Sequence, residues 1–176
     1  VCTTRVSFGY TIAAGLISGG FLAYLTSSQQ IFQDQYGVGT RFPLYFATLA
    51  LALGGASFAN SRLVMRYGMR VLSRVALYLL SILSIIFFTI SWLLAGDPPL
   101  WGLMTYFMLL FFCIGLLFGN LNALAMEPLG HIAGIGASVV GALSSLLSVP
   151  IGILIGQSFN GTILPLVGGY GLLGLG

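Results

Sequence analysis

Long apolar segments without charge are the feature that most limits how this chain can fold. Hydrophobic residues make up 58% of the sequence and charged residues only 5%, whereas roughly 25% of the residues in a soluble domain are charged. A segment of about 18 or more apolar residues is long enough to cross the hydrocarbon core of a bilayer as a helix. We therefore predict an all-α membrane protein, built as a bundle of transmembrane helices.

Polar breaks divide the chain into five complete apolar segments and the start of a sixth. The predicted helices cover residues 8–32, 42–60, 71–95, 100–126, 132–159 and 162–176. The two prolines of GDPP separate the third from the fourth, because proline cannot continue a helix. At 1.5 Å per residue the last segment spans about 22 Å of a core roughly 30 Å thick. We expect a six-helix unit with a truncated last helix, in a fragment of a longer protein.

The arginines are unevenly distributed between the two ends of the predicted bundle. Four of the six occur at positions 62, 66, 70 and 74; Arg5 falls on their side and Arg41 on the other. Positive residues concentrate on the cytoplasmic side of membrane proteins. We predict that segment 61–74 is mainly a cytoplasmic loop, whose arginines contact lipid headgroups. A voltage sensor is disfavoured, because Gly68 interrupts the arginine spacing and no predicted helix has a carboxylate near its centre.

Few residues offer reactive chemistry. Cys2 and Cys113 are far apart and neither lies in a CxxC motif, and His131 is the one histidine. Metal sites and disulfide frameworks need closer sets of such residues, so we predict no metal, no cofactor and no catalytic residue. Six arginines without lysine in so apolar a chain also argue against nucleic acid as a partner.

Two other classes of membrane protein are alternatives to a carrier of small molecules. An intramembrane enzyme needs a nucleophile with a base, or metal ligands, inside the membrane. A channel-like pore needs a charged ring or a loop of backbone carbonyls between its helices. Both alternatives therefore lack their characteristic residues in this sequence.

Polar side chains follow one face of each of two predicted helices. The predicted substrate-cavity residues are Tyr24, Ser27 and Ser28 on the first helix, and Tyr106, Cys113 and Asn120, spaced seven apart, on the fourth. Polar groups inside a membrane are costly unless satisfied, and they often mark a substrate path. Hydrogen bonds between packed helices are the alternative explanation for these residues.

Glycine and proline interrupt the fifth predicted helix. A proline inside a span removes one backbone hydrogen bond and bends the helix. A fixed bend is one interpretation. The other, which we adopt as a prediction, is a hinge formed by Gly141, Pro150 and Gly152.

The arginine segment resembles a short loop found in major facilitator transporters. The pattern is carried by Gly55, Ser61, Arg66, Gly68 and Arg70. It is similar to the G-x-x-x-D-R-x-G-R-R loop between the second and third helices of each six-helix half. Met65 stands at the Asp and Met69 at a basic position, as in the degenerate copy of the second half. FANSRLVMRYGMR followed by ALAMEPLGHIAGIGAS resembles the Bcr/CflA-type drug-resistance branch in particular.

This resemblance, which extends from Phe8 to the end of the chain, implies the second half of a twelve-helix fold, with the N-terminal half absent. It implies proton-coupled efflux of drugs or small amphipathic molecules by alternating access, in the cytoplasmic (inner) membrane of a bacterium. The implied partners are a small-molecule substrate, protons, the lipid bilayer and the missing N-terminal half, which is expected to carry the coupling carboxylate. The implied gating residues are Ser61, Arg62, Arg66, Gly68, Arg70 and Glu127.

Overall fold

The described part of the protein is a bundle of six α-helices connected by short turns. The computed structural model describes residues 5–158 and 161–175, so Cys2 lies outside the described residues. The helices are α1 (Arg5–Gln29), α2 (Phe42–Tyr67), α3 (Met69–Leu93), α4 (Leu100–Met126), α5 (Ala133–Gln157) and α6 (Leu164–Leu175). A π-helical turn, Gln30–Gln35, extends α1, and the 3₁₀ turn Glu127–Ile132 joins α4 to α5. The predicted all-α fold class is confirmed.

Five of the helices are long and apolar enough to cross a membrane. The candidate spans are Arg5–Gln35, Gly39–Tyr67, Met69–Leu93, Leu100–Gly130 and Ala133–Gln157. The sixth helix is apolar but shorter. Inside a bilayer, backbone groups can be satisfied only within helices or closed barrels, and this chain uses helices throughout its described spans.

The arginine segment is helical, which corrects the prediction of a loop over residues 61–74. α2 continues to Tyr67, seven residues beyond its predicted end, and α3 starts at Met69. Gly68 alone separates them, with φ 79° and ψ 154°, a conformation that residues with a side chain rarely adopt. Arg, Leu and Met are good helix formers, and long arginine side chains can extend toward water from a helix end. The charge therefore does not end the helix.

The packing of the helices repeats in the two halves of the chain. α1 packs along α5, and in the same way α4 packs along α2. α4 contacts α3, and in the same way α1 contacts α6. α3 and α6 pack on each other. Exchanging α1–α3 for α4–α6 leaves this pattern unchanged. Equivalent helices are three positions apart in the chain, with two spans between them, so the equivalents run in opposite directions. The two halves of the described bundle are therefore related as an inverted repeat of three helices each.

Glycines allow the closest approaches between helices. A Cβ on Gly115 of α4 would lie 2.6 Å from the Ala56 Cβ and 2.9 Å from the Leu53 carbonyl oxygen of α2. A Cβ on Gly19 of α1 would lie 2.9 Å from Ile151 on α5. Small residues at such contacts let helix backbones approach in lipid, where van der Waals packing drives association.

Two turns interlock at the end of the bundle that holds residues 35–41 and 94–99, which we name the GDPP end. The Tyr36 hydroxyl donates a hydrogen bond of 2.6 Å to the Pro98 carbonyl, and Gln35 Nε2 donates one of 3.0 Å to the Gly96 carbonyl. Burial, with a smaller contribution from the Asp97 charge, raises the pKa of Tyr36 above its usual range. The phenol therefore stays protonated and keeps donating its hydrogen bond at physiological pH.

The Gly115 contact makes a prediction about stability. Gly115→Ala should lower the unfolding temperature in detergent, because overpacking a tight contact typically costs about 1–3 kcal/mol. Gly102→Ala is the matched control on the same helix, since its added Cβ would meet only Pro99 Cγ, at the ordinary van der Waals distance of 3.6 Å. An unchanged unfolding temperature for Gly115→Ala would contradict the close approach of α2 and α4.

Candidate functional site

A groove opens between α1 and α2, with α4 as its floor. Its volume is about 490 Å³, within the range of roughly 300–1,000 Å³ typical of small-molecule sites. The lining includes Phe21 on α1, Gly54, Ser57 and Asn60 on α2, and Phe118 and Gly119 on α4. We name it the α1–α2–α4 groove. No residue of this lining carries a charge.

A smaller cavity of about 60 Å³ shares Phe21 and Leu53 with the groove. It is lined largely by aromatic and aliphatic side chains, including Tyr24 and Phe111. The Phe21 ring meets those of Phe111 and Phe118 edge to face, with centroids 5.6 Å apart in both pairs. The two cavities therefore share an aromatic wall on α1 and α4.

Tyr24, a predicted cavity residue, lies inside this aromatic cluster. Its ring centroid is 4.6 Å from that of Phe111 and 5.2 Å from that of Phe107. The side chain is buried, and its hydroxyl has no hydrogen-bond partner within the described residues. A buried hydroxyl without a partner costs roughly 1–3 kcal/mol, so Tyr24 has unused hydrogen-bonding capacity beside the smaller cavity.

Ser27 and Ser28 do not line the groove. The Ser28 hydroxyl donates to the Leu25 carbonyl of its own helix at 3.1 Å. A Cβ on Gly156 of α5 would lie 3.5 Å from Ser27 Oγ, so Ser27 faces the α1–α5 contact. Both serines are buried. The first predicted stripe therefore divides between Tyr24 at the smaller cavity and Ser27 at a helix contact.

The stripe on α4 also divides. Tyr106 faces α3, where its hydroxyl lies 3.1 Å from Ser84 Oγ and its ring stacks on Phe87 with centroids 4.3 Å apart. Cys113 is a buried free cysteine. Asn120 faces α2. A straight helix turns by about 20° relative to a seven-residue repeat, and α4 has different neighbours along its length, so residues spaced by seven meet different helices.

Asn120 forms a reciprocal amide pair with Asn60. Asn120 Nδ2 donates to Asn60 Oδ1 at 2.7 Å, and Asn60 Nδ2 donates to Asn120 Oδ1 at 3.2 Å. Asn120 is only 2% exposed, while Asn60 is half-buried and lines the groove. The pair gives both carboxamides a hydrogen-bond partner at the contact between α2 and α4. Asn60 was missed because the predicted second helix ended at this residue.

An ion pair joins α3 to the turn after α4 at the end of the bundle that holds Arg5, Gly68 and Glu127, which we name the arginine end. The Arg70 guanidinium lies 2.9 Å from the Glu127 carboxylate, and it is the one ion pair among residues 5–158 and 161–175. Their side chains are 63% and 49% exposed, so water screens the attraction.

The other predicted gating residues make local contacts. The Arg62 guanidinium lies 4.8 Å from the centroid of the Phe58 ring, and that of Arg66 lies 5.3 Å from the Tyr67 ring. The Ser61 hydroxyl donates to the Phe58 carbonyl at 2.7 Å. The segment thus presents Arg62 and Arg66 on the surface of α2 near the helix end, while Arg70 reaches across to the turn after α4.

Comparison with known proteins finds two relatives and matches no family model and no solved structure. The chain is 29% identical over 153 residues to YdgK of Bacillus subtilis, an MFS-type transporter, covering 86% of this chain and 37% of that protein. It is 26% identical over 163 residues to a bicyclomycin resistance protein homolog of Haemophilus influenzae, covering 90% and 39%. This chain resembles major facilitator transporters. It spans less than two fifths of the length of these relatives.

In this chain, the residues predicted to form a hinge lie in an unbroken helix, α5. α5 runs through Pro150, which is exposed, and Gly152 is packed so closely on α1 that a Cβ would lie 2.8 Å from Leu22 Cγ. Gly141 has open space around it.

Among the described residues, no three His, Cys, Asp or Glu side chains come together as a metal site would require.

The isolated hydroxyl of Tyr24 makes a second prediction. Tyr24→Phe should leave the unfolding temperature unchanged or raise it, because it removes a polar group that has no partner. Tyr106→Phe is the matched control and should lower it, since this change breaks the buried contact with Ser84. A fall for Tyr24→Phe as large as that for Tyr106→Phe would contradict the unpaired state of the Tyr24 hydroxyl.

A third prediction concerns the ion pair. Arg70→Ala and Glu127→Ala should each lower thermal stability slightly, and the double variant should lose less than the sum of the two, because the residues interact with each other. The coupling should disappear at high salt. Combining Arg62→Ala with Glu127→Ala provides the control, and additive losses are expected there. Coupling of equal size in the control would rule out a specific pair.

Proposed function

We propose that this chain is the second half of a secondary active transporter that exports drugs or other small amphipathic molecules. The observation that carries the proposal is the inverted repeat of α1–α3 and α4–α6 around an open, uncharged groove. In carriers of this design, substrate sites lie at the interface of such repeats near the middle of the membrane. The names of both relatives support a transporter over an intramembrane enzyme or a channel-like pore.

The α1–α2–α4 groove forms one wall of the substrate cavity in this proposal, and the missing half forms the other. Three glycines on the outer surfaces of α2 and α5 support such a second half, since nothing lies within 4 Å of their Cβ positions. They are Gly55, Gly134 and Gly141. Small residues at a membrane helix surface suit close contact with another helix. α2 and α5 would therefore pack against the missing half on either side of the cavity.

A second cavity, of about 390 Å³, supports a longer sixth helix. It lies between α1 and α3 at the arginine end, beyond the point where the Ser81 hydroxyl of α3 donates to the Gly174 carbonyl of α6 at 2.7 Å. Ser73 lies about two turns before Ser81, nearer the start of α3, and it lines this cavity. Its buried hydroxyl has no partner among the described residues. Further turns of α6 would fill the cavity and give Ser73 a backbone carbonyl to bond.

The arginine end faces the cytoplasm of a bacterium in this proposal, and the protein lies in the inner membrane. Five of the six arginines support this orientation. The ion pair of Arg70 with Glu127 holds α3 to α4 in one state of the transporter, and Arg62 and Arg66 are placed to meet carboxylates of the missing half. Gly68 supplies the turn on which this gate depends.

Alternating access would proceed by rocking of this bundle against the missing half, with α5 flexing at Gly141 and Pro150. Asp34, Asp97 and Glu127 are the only acidic residues of the chain, and all three lie near helix ends. A proton that drives transport must bind a group that can change its charge within the membrane. The coupling carboxylate is therefore assigned to the missing half.

Efflux of an uncharged lipophilic dye tests the proposed function. The complete gene would be expressed in bacteria that lack their main efflux pumps, and the accumulation of Nile red would be followed with and without a protonophore. We expect less dye in cells that contain the protein, and we expect the protonophore to remove the difference. Equal accumulation at verified membrane expression would refute dye export, and a difference that survives the protonophore would refute proton coupling.

A pair of variants ties this assay to the groove. Ser57→Trp should abolish export by filling the groove, whereas Thr89→Trp places the same bulk on an exposed position of α3 and should export normally. Each residue bonds a carbonyl four positions earlier in its own helix, so the two substitutions remove the same kind of local hydrogen bond. Normal export by Ser57→Trp would remove the groove from the substrate path.

A further inference from the structure

The Asn60–Asn120 pair leaves hydrogen-bonding capacity at the edge of the α1–α2–α4 groove. A carboxamide has two N–H donors and an oxygen with two lone pairs. The pair uses one N–H and one lone pair of each residue, and the Asn60 side chain has no other hydrogen bond among the described residues. Asn120 is enclosed, but Asn60 lines the groove and is half-buried. One donor and one acceptor of Asn60 are thus free for a molecule in the groove.

Glycine keeps this amide accessible. A Cβ on Gly119 would lie 3.9 Å from Asn60 Nδ2, in van der Waals contact, whereas the native glycine leaves that side of the amide uncovered. Gly54, on the same helix as Asn60, has nothing within 4 Å of its Cβ position. Glycines on α2 and α4 therefore keep the groove open, and Gly119 is the one beside the Asn60 amide.

The rest of the groove lining favours apolar, uncharged ligands. Phe21 and Phe118 present an edge-to-face pair of rings, and the groove lining contains no Asp, Glu, Lys or Arg. A charged ligand would lose its hydration here without gaining a counter-charge, which is costly. An uncharged molecule with a flat apolar body would lose little hydration and would contact the rings.

We propose that the groove binds uncharged molecules that carry an amide, lactam or imide group on an aromatic or alicyclic body. Asn60 is the binding residue, because its free N–H, which lies beside Gly119, can donate to the carbonyl oxygen of the ligand. Asn120 is a positioning residue, since its two bonds hold the Asn60 amide in one orientation. Phe21 and Phe118 contact the apolar body. This inference rests on the proposed function, whose substrate class it narrows.

Two probes of the same shape test the amide requirement. Benzanilide has two phenyl rings joined by an amide, and trans-stilbene has the same rings joined by a carbon–carbon double bond. Binding of each radiolabelled probe would be measured by scintillation proximity with the full-length protein in detergent, with values corrected for partition into the micelle. We expect benzanilide to bind about fivefold more tightly, the factor that a hydrogen bond of about 1 kcal/mol provides. A carboxylate-substituted benzanilide should bind more weakly than either.

Substitutions then locate the effect. Asn60→Leu should reduce the preference for benzanilide to about one, and Asn60→Gln should retain part of it. Gly119→Ala should also reduce the preference, because its methyl group covers the amide without breaking the pair. Gly54→Val should weaken both probes equally by occupying the groove, while Ala47→Val, on the same helix outside the groove lining, should weaken neither.

The outcomes separate this inference from the proposed function. Equal binding of both probes to the wild type, or a preference that survives both Asn60→Leu and Gly119→Ala, would overturn the amide site. Because Gly119→Ala preserves the pair, it decides the question even if Asn60→Leu does not fold. The binding assay needs no gradient, so an amide preference that depends on Asn60 would support the site even if the dye is not exported. Dye export without that preference would support the proposed transporter function and refute the amide site.

Discussion

Close packing of uncharged helices in lipid is the constraint on which the rest of this structure depends. Lipid tails are as apolar as leucine, so helices gain little from hiding apolar side chains and must associate by fitting their surfaces together. Gly115 against Ala56 joins α4 to α2, and Gly19 against Ile151 joins α1 to α5. These contacts join α2 to α4 and α5 to α1. Because α2 packs against α4 at Gly115, space remains between α2 and α1, and this space is the groove.

Lipid also offers no hydrogen bonds to polar side chains, and this explains which partners they bond. Most hydroxyls bond a carbonyl one turn earlier in their own helix, as Thr48, Thr89 and Ser138 do. Only a few groups bond across helices, among them the Asn60–Asn120 pair and the Ser84–Tyr106 contact. A polar residue on a membrane helix is therefore usually satisfied locally. Those that bond across helices, or not at all, carry more information about a ligand path.

Some of the candidate site could be predicted and some could not. Asn120 and Tyr24 were identified because polar groups are rare in apolar spans, and one lies behind the groove while the other lines the adjoining cavity. Ser27 and Tyr106 share their helical faces but turn toward α5 and α3, because a helix face meets different neighbours along its length. Asn60 escaped prediction because arginine was taken to end α2, although arginine is a good helix former that reaches water from the helix end.

The sequence by itself determined that the chain is a membrane bundle of six helices, because apolar length and polar breaks act locally and each helix satisfies its own backbone. It also indicated the family, through the arginine segment and the residues around it. Only the tertiary structure decided which helices pair, which polar residues meet, and where space remains. Those outcomes depend on how glycine and aromatic surfaces of distant segments fit, as when Gly119 leaves Asn60 uncovered, and no local pattern records that fit.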